Sequence, residues 1–224
     1  MNEVIGDLLP SAIGVALSPI PIIAVILMLA TPRARVAGPA FAAGWLVGLV
    51  LVSTIVLVVA QGADDPDSVA GNSTSILKLV LGLLFLALAV RQWQSRPKRG
   101  EAPAMPAWMA SIDSFSAGKC FALGALLSGV NPKNLALTVA SAATIAEAGL
   151  SRGGSVAAVG VFVVVGSLSV AGPVACSIVA SDWAAGPLAS LKELMSDNVA
   201  VIMMVIFLIL GAKLLGAGWA GLST

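Results

Sequence analysis

Histidine is absent from this chain, and its 224 residues include only two cysteines, Cys120 and Cys176. Without histidine the commonest general base and metal ligand is missing. The two cysteines lie in apolar runs with no ligand-like spacing, which reads as hydrophobic packing rather than a metal or redox pair. Charge is scarce as well: 10% of residues are Asp, Glu, Lys or Arg, against 58% hydrophobic. That is too little charge to cover the surface of a soluble domain. A formal net charge of +1 gives no reason to expect a nucleic-acid partner. There is no Walker A motif, no metal-ligand cluster and no acid pair inside an apolar run. The chain is therefore expected to be no enzyme and to carry no cofactor. An ion gradient, a partner or nothing is left as its source of energy.

Long apolar runs take the place of these features, and mean hydropathy is +1.02. Six runs stand out: 5–30, 36–60, 75–90, 117–146, 155–180 and 198–217. Most reach the roughly 20 residues that a helix needs to cross a bilayer. The first is preceded by Met1-Asn2-Glu3 with no basic flank, carries Asp7, and is too long for a secretory signal, so it reads as a retained span. Arg91 and Trp93 would anchor the short third run at its interface. Arg33 and Arg35, then Arg91, Arg96, Lys98, Arg99 and Lys119, then Lys192 fall in connections on one side. Lys78, Arg152 and Lys213 fall on the other, with the acidic loop Asp64-Asp65-Pro66-Asp67. That is eight basic residues against three, Lys133 completing the twelve. The positive-inside rule makes the richer side cytoplasmic and puts both termini outside. In the longest connection a polar linker is followed by Trp108, Met109 and Ile112. These three either lie against lipid headgroups as an interfacial element or belong to a plain loop.

The halves resemble each other. Ala12, Gly14, Leu17 and Ser18 recur as Ala122, Gly124, Leu127 and Ser128, at a constant offset, and Pro21 and Pro132 follow one position out of register. Three spans per half is an odd number, so the second half enters from the opposite face, as in the inverted repeats of secondary transporters. Runs 1 and 4 carry helix breakers: Ser18-Pro19-Ile20-Pro21 in one, Ser128-Gly129-Val130-Asn131-Pro132 in the other. Two prolines in three residues should unwind the first helix. Gly129 and Asn131 should open the second, with Pro132 starting a new half-helix. Unwound backbone inside a bilayer must be buried in protein or line a wet cavity. Lys133 is the one charge far from either end of its run. It either faces such a cavity, where it draws an anionic group or loses its proton, or it snorkels or bonds carbonyls freed by the break. Gly44 and Gly48, and Gly160 and Gly166, read as close-packing positions. Gly172-Pro173 reads as packing or as a hinge.

The stretch 16–35, with Ala16-Leu17-Ser18-Pro19-Ile20-Pro21 and then Thr31-Pro32-Arg33-Ala34-Arg35, resembles the actinobacterial GAP family, also called sulfolipid-1-addressing or Sap proteins. So does Trp108-Met109-Ala110-Ser111-Ile112-Asp113-Ser114-Phe115, followed by 124–135. The triplet Asn131-Pro132-Lys133 is similar to that of the wider LysE exporter superfamily. The resemblance implies a six-helix inner-membrane protein, dimeric, that moves glycolipids or peptidoglycolipids toward the cell surface; relatives in the superfamily export amino acids or metal ions.

The expectation is an all-α integral membrane protein in one domain, 1–224. Six helices form two inverted three-helix repeats, about 5–95 and 117–218, joined by a cytoplasmic linker at about 96–116, with helices 1 and 4 broken at mid-membrane. The expected substrate site comprises Ser18, Pro19, Pro21, Ser128, Gly129, Asn131, Pro132, Lys133 and Asn134. Expected partners are the lipid bilayer, a lipid or small-molecule cargo, a second copy of the chain, and a lipid-synthesis or export complex. The rival functions are export of a small polar solute or cation, and a non-transporting accessory subunit.

Overall fold

A computed structural model of the chain describes residues 2–62, 70–96, 106–179 and 181–222. The acidic loop 64–67, most of the polar linker that follows Arg96, and Ala180 lie outside the described residues. Every regular element among the described residues is helical. They are α1 (Asn2–Ala16), α2 (Pro19–Leu29), α3 (Ala34–Gly62), α4 (Ala70–Gln94), a 3₁₀ helix (Ala107–Ser114), α5 (Ala117–Gly129), α6 (Pro132–Glu147), α7 (Arg152–Val179) and α8 (Ser181–Leu222).

Four helices, α3, α4, α7 and α8, are long and apolar enough to cross a membrane. The pair α1 and α2 is long and apolar enough only when taken together, bent by 53°, as one broken span or a re-entrant loop. The fourth expected run, 117–146, is present as α5 and α6, of 13 and 16 residues. At 1.5 Å per residue they are about 20 and 24 Å long, each short of a hydrocarbon core of about 30 Å. The chain is thus a multi-pass helical membrane protein.

Helix α8 is far longer than the apolar run 198–217 suggested. Its first turns follow an amphipathic pattern: Leu188, Leu191, Met195, Val199 and Ile202 pack against the core at helical spacing, while Glu193 and Asp197 stay exposed. A search for uninterrupted apolar sequence misses such a segment, and Lys192, expected in a loop, lies inside the helix. The interfacial segment also differs. Met109 and Ile112 are buried in the protein core, and their 3₁₀ helix packs on α2. Their apolar side chains found protein before lipid.

Helices pair across the halves: α1 packs on α7, α3 on α5, and α4 on α8. Glycines set how closely they approach. A Cβ at Gly44 of α3 would lie 1.9 Å from the carbonyl oxygen of Phe121. One at Gly124 of α5 would lie 2.2 Å from that of Phe41. Gly48 faces the Ser128 hydroxyl in the same crossing. In α4 and α8, Gly82 and Gly211 each sit against the other's carbonyl oxygen, at 3.0 and 3.1 Å from the built Cβ. Within lipid, where there is no hydrophobic drive between helices, such backbone approach is a main source of association. Gly160 and Gly172 meet nothing within 4 Å; the close-packing reading holds for Gly44 and Gly48 but not for Gly160. Between these pairs the core is filled by Phe41, Trp45, Phe85 and Phe162, all fully buried. Phe85 stacks on Phe207 at 5.6 Å, tying α4 to α8.

Candidate functional site

The first break falls between Ala16 and Pro19. Pro19 occupies the first position of α2 and Ser18 caps it in an extended conformation. Pro21 then falls in the first turn, where its missing N–H has no intrahelical partner to lose. One local break results, as two prolines in three residues suggest. The second break is built likewise. Asn131 caps α6, its side chain accepting from the Lys133 N–H at 3.0 Å, and Pro132 takes the first helical position. Matched by cap and proline, Ser18-Pro19 corresponds to Asn131-Pro132, an offset of 113 (131 − 18 and 132 − 19). The letter-by-letter likeness of Ser18 to Ser128 misses this correspondence.

A helix that stops inside a bilayer leaves its last carbonyls without N–H partners. In α1 those carbonyls are satisfied individually. Ala16 accepts from the Ser18 N–H at 2.9 Å and from the Ser169 hydroxyl of α7 at 2.6 Å. Val15, whose ordinary donor would be the nitrogen of Pro19, accepts from the Ser18 hydroxyl at 2.6 Å. Gly14 accepts from the ammonium of Lys133. At the other break the Leu127 carbonyl, deprived of its helical partner, accepts from Asn134 Nδ2 at 2.9 Å.

Lys133 joins the two breaks. Its Nζ donates to Gly14 O and to Ser18 Oγ, the latter at 2.7 Å. Ser18 Oγ also lies 3.2 Å from Asn134 Oδ1. A hydroxyl has one proton, and the shorter Val15 contact takes it. The Lys133 side chain is 3% exposed and Asn134 fully buried. The ammonium stands on the second position of α6, a helix start that repels cations, yet it reaches the C-terminal carbonyls of α1, where the helix dipole is negative. That end of α1 supplies the counter-charge that a carboxylate would otherwise provide.

The structure thus brings Ser18, Lys133 and Asn134 together, with Pro19, Pro21, Asn131 and Pro132 shaping the turns. Ser128 and Gly129 stand apart from them. The Ser128 hydroxyl bonds back to Ala125 O at 3.1 Å, and Gly129 packs against Val52 of α3. Both are packing positions in the α3–α5 crossing. Pro132 itself is exposed.

Sequence reasoning overlooked a polar seam leading away from this core. Asp7, Ser11 and Gly14 on α1, with Ser18 just past its end, lie three or four residues apart, and Asn134, Thr138, Ser141 and Thr144 do so on α6. Thr138 donates to Asn134 O at 2.8 Å. The seam opens, at the ends of α1 and α6 away from the breaks, into a cavity of about 160 Å³ lined by Asp7, Ser11, Lys78, Ser141, Glu147 and Lys213, among others. There Lys78 pairs with Glu147 at 2.6 Å, and Lys213 donates to the Asp7 carbonyl at 2.5 Å. The Ser141 hydroxyl is buried without a hydrogen-bond partner among the described residues. The spacing of these small polar residues at helical intervals was the available signal.

Compared with known families, the chain matches the model described as Sap, sulfolipid-1-addressing protein, over residues 8–220. Comparison with curated proteins and with solved structures gives no match.

Proposed function

This chain belongs to the Sap, sulfolipid-1-addressing protein family, and on that premise we propose that it is an inner-membrane exporter of an amphiphile of glycolipid or peptidoglycolipid type. It transports without enzymatic chemistry of its own. Six spans in two inverted repeats, with α1–α2 and α5–α6 as the broken ones, form the transport unit, and both termini face outward. The repeat reading is supported by the way the halves exchange partners. The first half-helix of each repeat packs on the second span of the other, α1 on α7 and α5 on α3. The reading follows the plan of secondary transporters built from inverted repeats, whose broken helices meet near the bilayer centre.

The observation that carries the proposal is the Lys133 ammonium, buried between both breaks and held by a backbone carbonyl and a hydroxyl. No carboxylate lies within ion-pair distance of it among the described residues. Neutral acceptors are exchanged more cheaply than a buried ion pair, because no second charge is left uncompensated. An anionic headgroup that takes the ammonium from Gly14 O and Ser18 Oγ would release α1–α2 from α6. Cargo binding and the parting of the two breaks then become one event. The prolines keep each hinge short, and Asn134 holds the Leu127 carbonyl while the contact exchanges.

The test is transport in proteoliposomes containing the full chain and a fluorescent anionic glycolipid, its transbilayer movement read by a membrane-impermeant quencher. Wild-type protein should move the lipid, and a folded Lys133→Met protein should not. Efflux of labelled amino acids, with the lipid left in place, would transfer the assignment to a small polar solute. If wild type moves neither, the accessory-subunit reading replaces transport.

A further inference from the structure

A larger cavity lies away from the Lys133 core, in the groove where the second half of α3 meets the first half of α7. Its volume is about 910 Å³, near the top of the range for small-molecule sites. Val50, Leu57 and Val58 of α3 face Val156, Val159 and Val163 of α7 across it. Polar groups gather at one end. Arg152 opens α7 there and is exposed. Ser155 also lines the groove, and its hydroxyl is buried with no hydrogen-bond partner among the described residues. Among the described residues no acid lines this cavity, and Glu147, five residues before Arg152, is engaged by Lys78. A greasy slot whose mouth holds a guanidinium and a hydroxyl, neither with a partner among the described residues, has the polarity of a lipid with an anionic head.

A second cavity repeats the arrangement. It measures about 280 Å³ and lies where α2 gives way to α3, with Arg35 and Lys192 among apolar residues that include Ile26 and Leu188. Arg35 stands at the start of α3 after the half-helix α2, as Arg152 stands at the start of α7 after the half-helix α6. Helices α3 and α7 run in opposite directions, since the late part of one lines the same groove as the early part of the other. The two arginines therefore mark opposite ends of the bundle.

We infer that the α3–α7 groove binds one membrane lipid, its acyl chain along the valine walls and its anionic headgroup on Arg152 and Ser155. The site is distinct from the Lys133 core and rests on the lipid reading above. Arg152 supplies the charge, and Ser155 supplies a donor at the depth where the head meets the chain. Gly160, with open space around it, leaves the groove wide enough for the chain. In this structure the Arg152 groove is the roomier of the two matched cavities. A lipid handed across the bundle would thus rest here before release or after capture.

The test uses the full chain in phosphatidylcholine nanodiscs doped with phosphatidic acid that carries a photoactivatable group in mid-acyl chain. Cross-linked peptides should come mainly from 50–58 and 156–164. Unlabelled phosphatidic acid should compete better than phosphatidylcholine. Arg152→Gln should lower that preference roughly fivefold, the worth of one basic side chain against an anionic headgroup, and Arg152→Lys should largely restore it. Gly160→Trp fills the slot in open space, so the protein should fold and lose these cross-links. Labelling spread evenly over all lipid-facing helices, equal competition by the two lipids, or full labelling of the Gly160→Trp protein would each overturn the site. Failure of the transport reading is recognised separately: lipid held in the groove while Lys133→Met leaves its movement unchanged removes Lys133's role and not this site.

Discussion

Replacing Gly44 by alanine inserts one methyl group into the tightest helix crossing of the protein, and its effect can be worked from distances. The new Cβ would sit 1.9 Å from the Phe121 carbonyl oxygen and 2.7 Å from its carbon. Ordinary contact begins near 3.4 Å, so α3 and α5 must separate by about 1.5 Å (3.4 − 1.9). The obstacle is backbone, which cannot swing aside as a side chain would. Overpacking of this kind costs about 1–3 kcal/mol, and the rigid obstacle puts it at the upper end. The better helix propensity of alanine returns up to about 1 kcal/mol, leaving a loss of about 2 kcal/mol. Gly160→Ala, with nothing within 4 Å, keeps the propensity gain without the clash. Unfolding in mixed detergent micelles, followed by circular dichroism, should therefore place the two variants about 2 to 3 kcal/mol apart. Because α5 ends at the break that carries Asn131 and Lys133, Gly44→Ala should also slow transport. Equal stability of the two variants would refute the close-approach argument.

Three further outcomes follow from the polar contacts. Lys133→Met leaves the Gly14 carbonyl unpaired, at about 1–3 kcal/mol, but removes an ammonium whose insertion costs about 2.5–3.5 kcal/mol. The two nearly cancel, so stability in the same micelle assay should change by no more than about 1 kcal/mol while transport is lost; a loss well above 3 kcal/mol would make Lys133 a structural clasp instead. Ser18→Ala deprives Val15 O of its donor and Lys133 of an acceptor, so it should destabilise by about 1–3 kcal/mol, and wild-type stability would show that the break is wetted. Glu147→Gln cuts a pair whose carboxylate side is 40% exposed; less than about 1 kcal/mol should be lost, and less again at high salt, which thermal unfolding across a salt series reads directly.

Much of this was legible from letters alone because a bilayer simplifies the problem. Runs 36–60, 75–90 and 155–180 became α3, α4 and α7 with ends shifted by a few residues, since apolar length is what a span requires. The breaks at Ser18 and Asn131 were legible because proline and its preceding residue leave few backbone choices. Lys133 stood out as a charge far from either end of its run, and the structure shows it bonding a carbonyl freed at the other break. What escaped depended on partners far away in sequence. Nothing near Ala16 announces that Ser169 will satisfy its carbonyl. The inward turn of Met109 and Ile112 depends on α2 being beneath them. The first turns of α8 were hidden because their apolar residues recur at helical spacing rather than in a run. Ser128 was chosen for its likeness to Ser18, but the cap geometry, not the letter, decides which residue faces the core.

The account's central claim is that the two breaks touch through Ser18, Lys133 and Asn134 and must part for cargo to pass. It is tested most directly by locking them together. A Ser18→Cys, Asn134→Cys protein, with Cys120 and Cys176 replaced by alanine, would be reconstituted and assayed for lipid movement after mild oxidation and again after reduction. The account predicts that the disulfide forms, that it stops transport, and that reduction restores whatever rate the reduced pair had. Oxidised protein transporting as fast as reduced protein would contradict it.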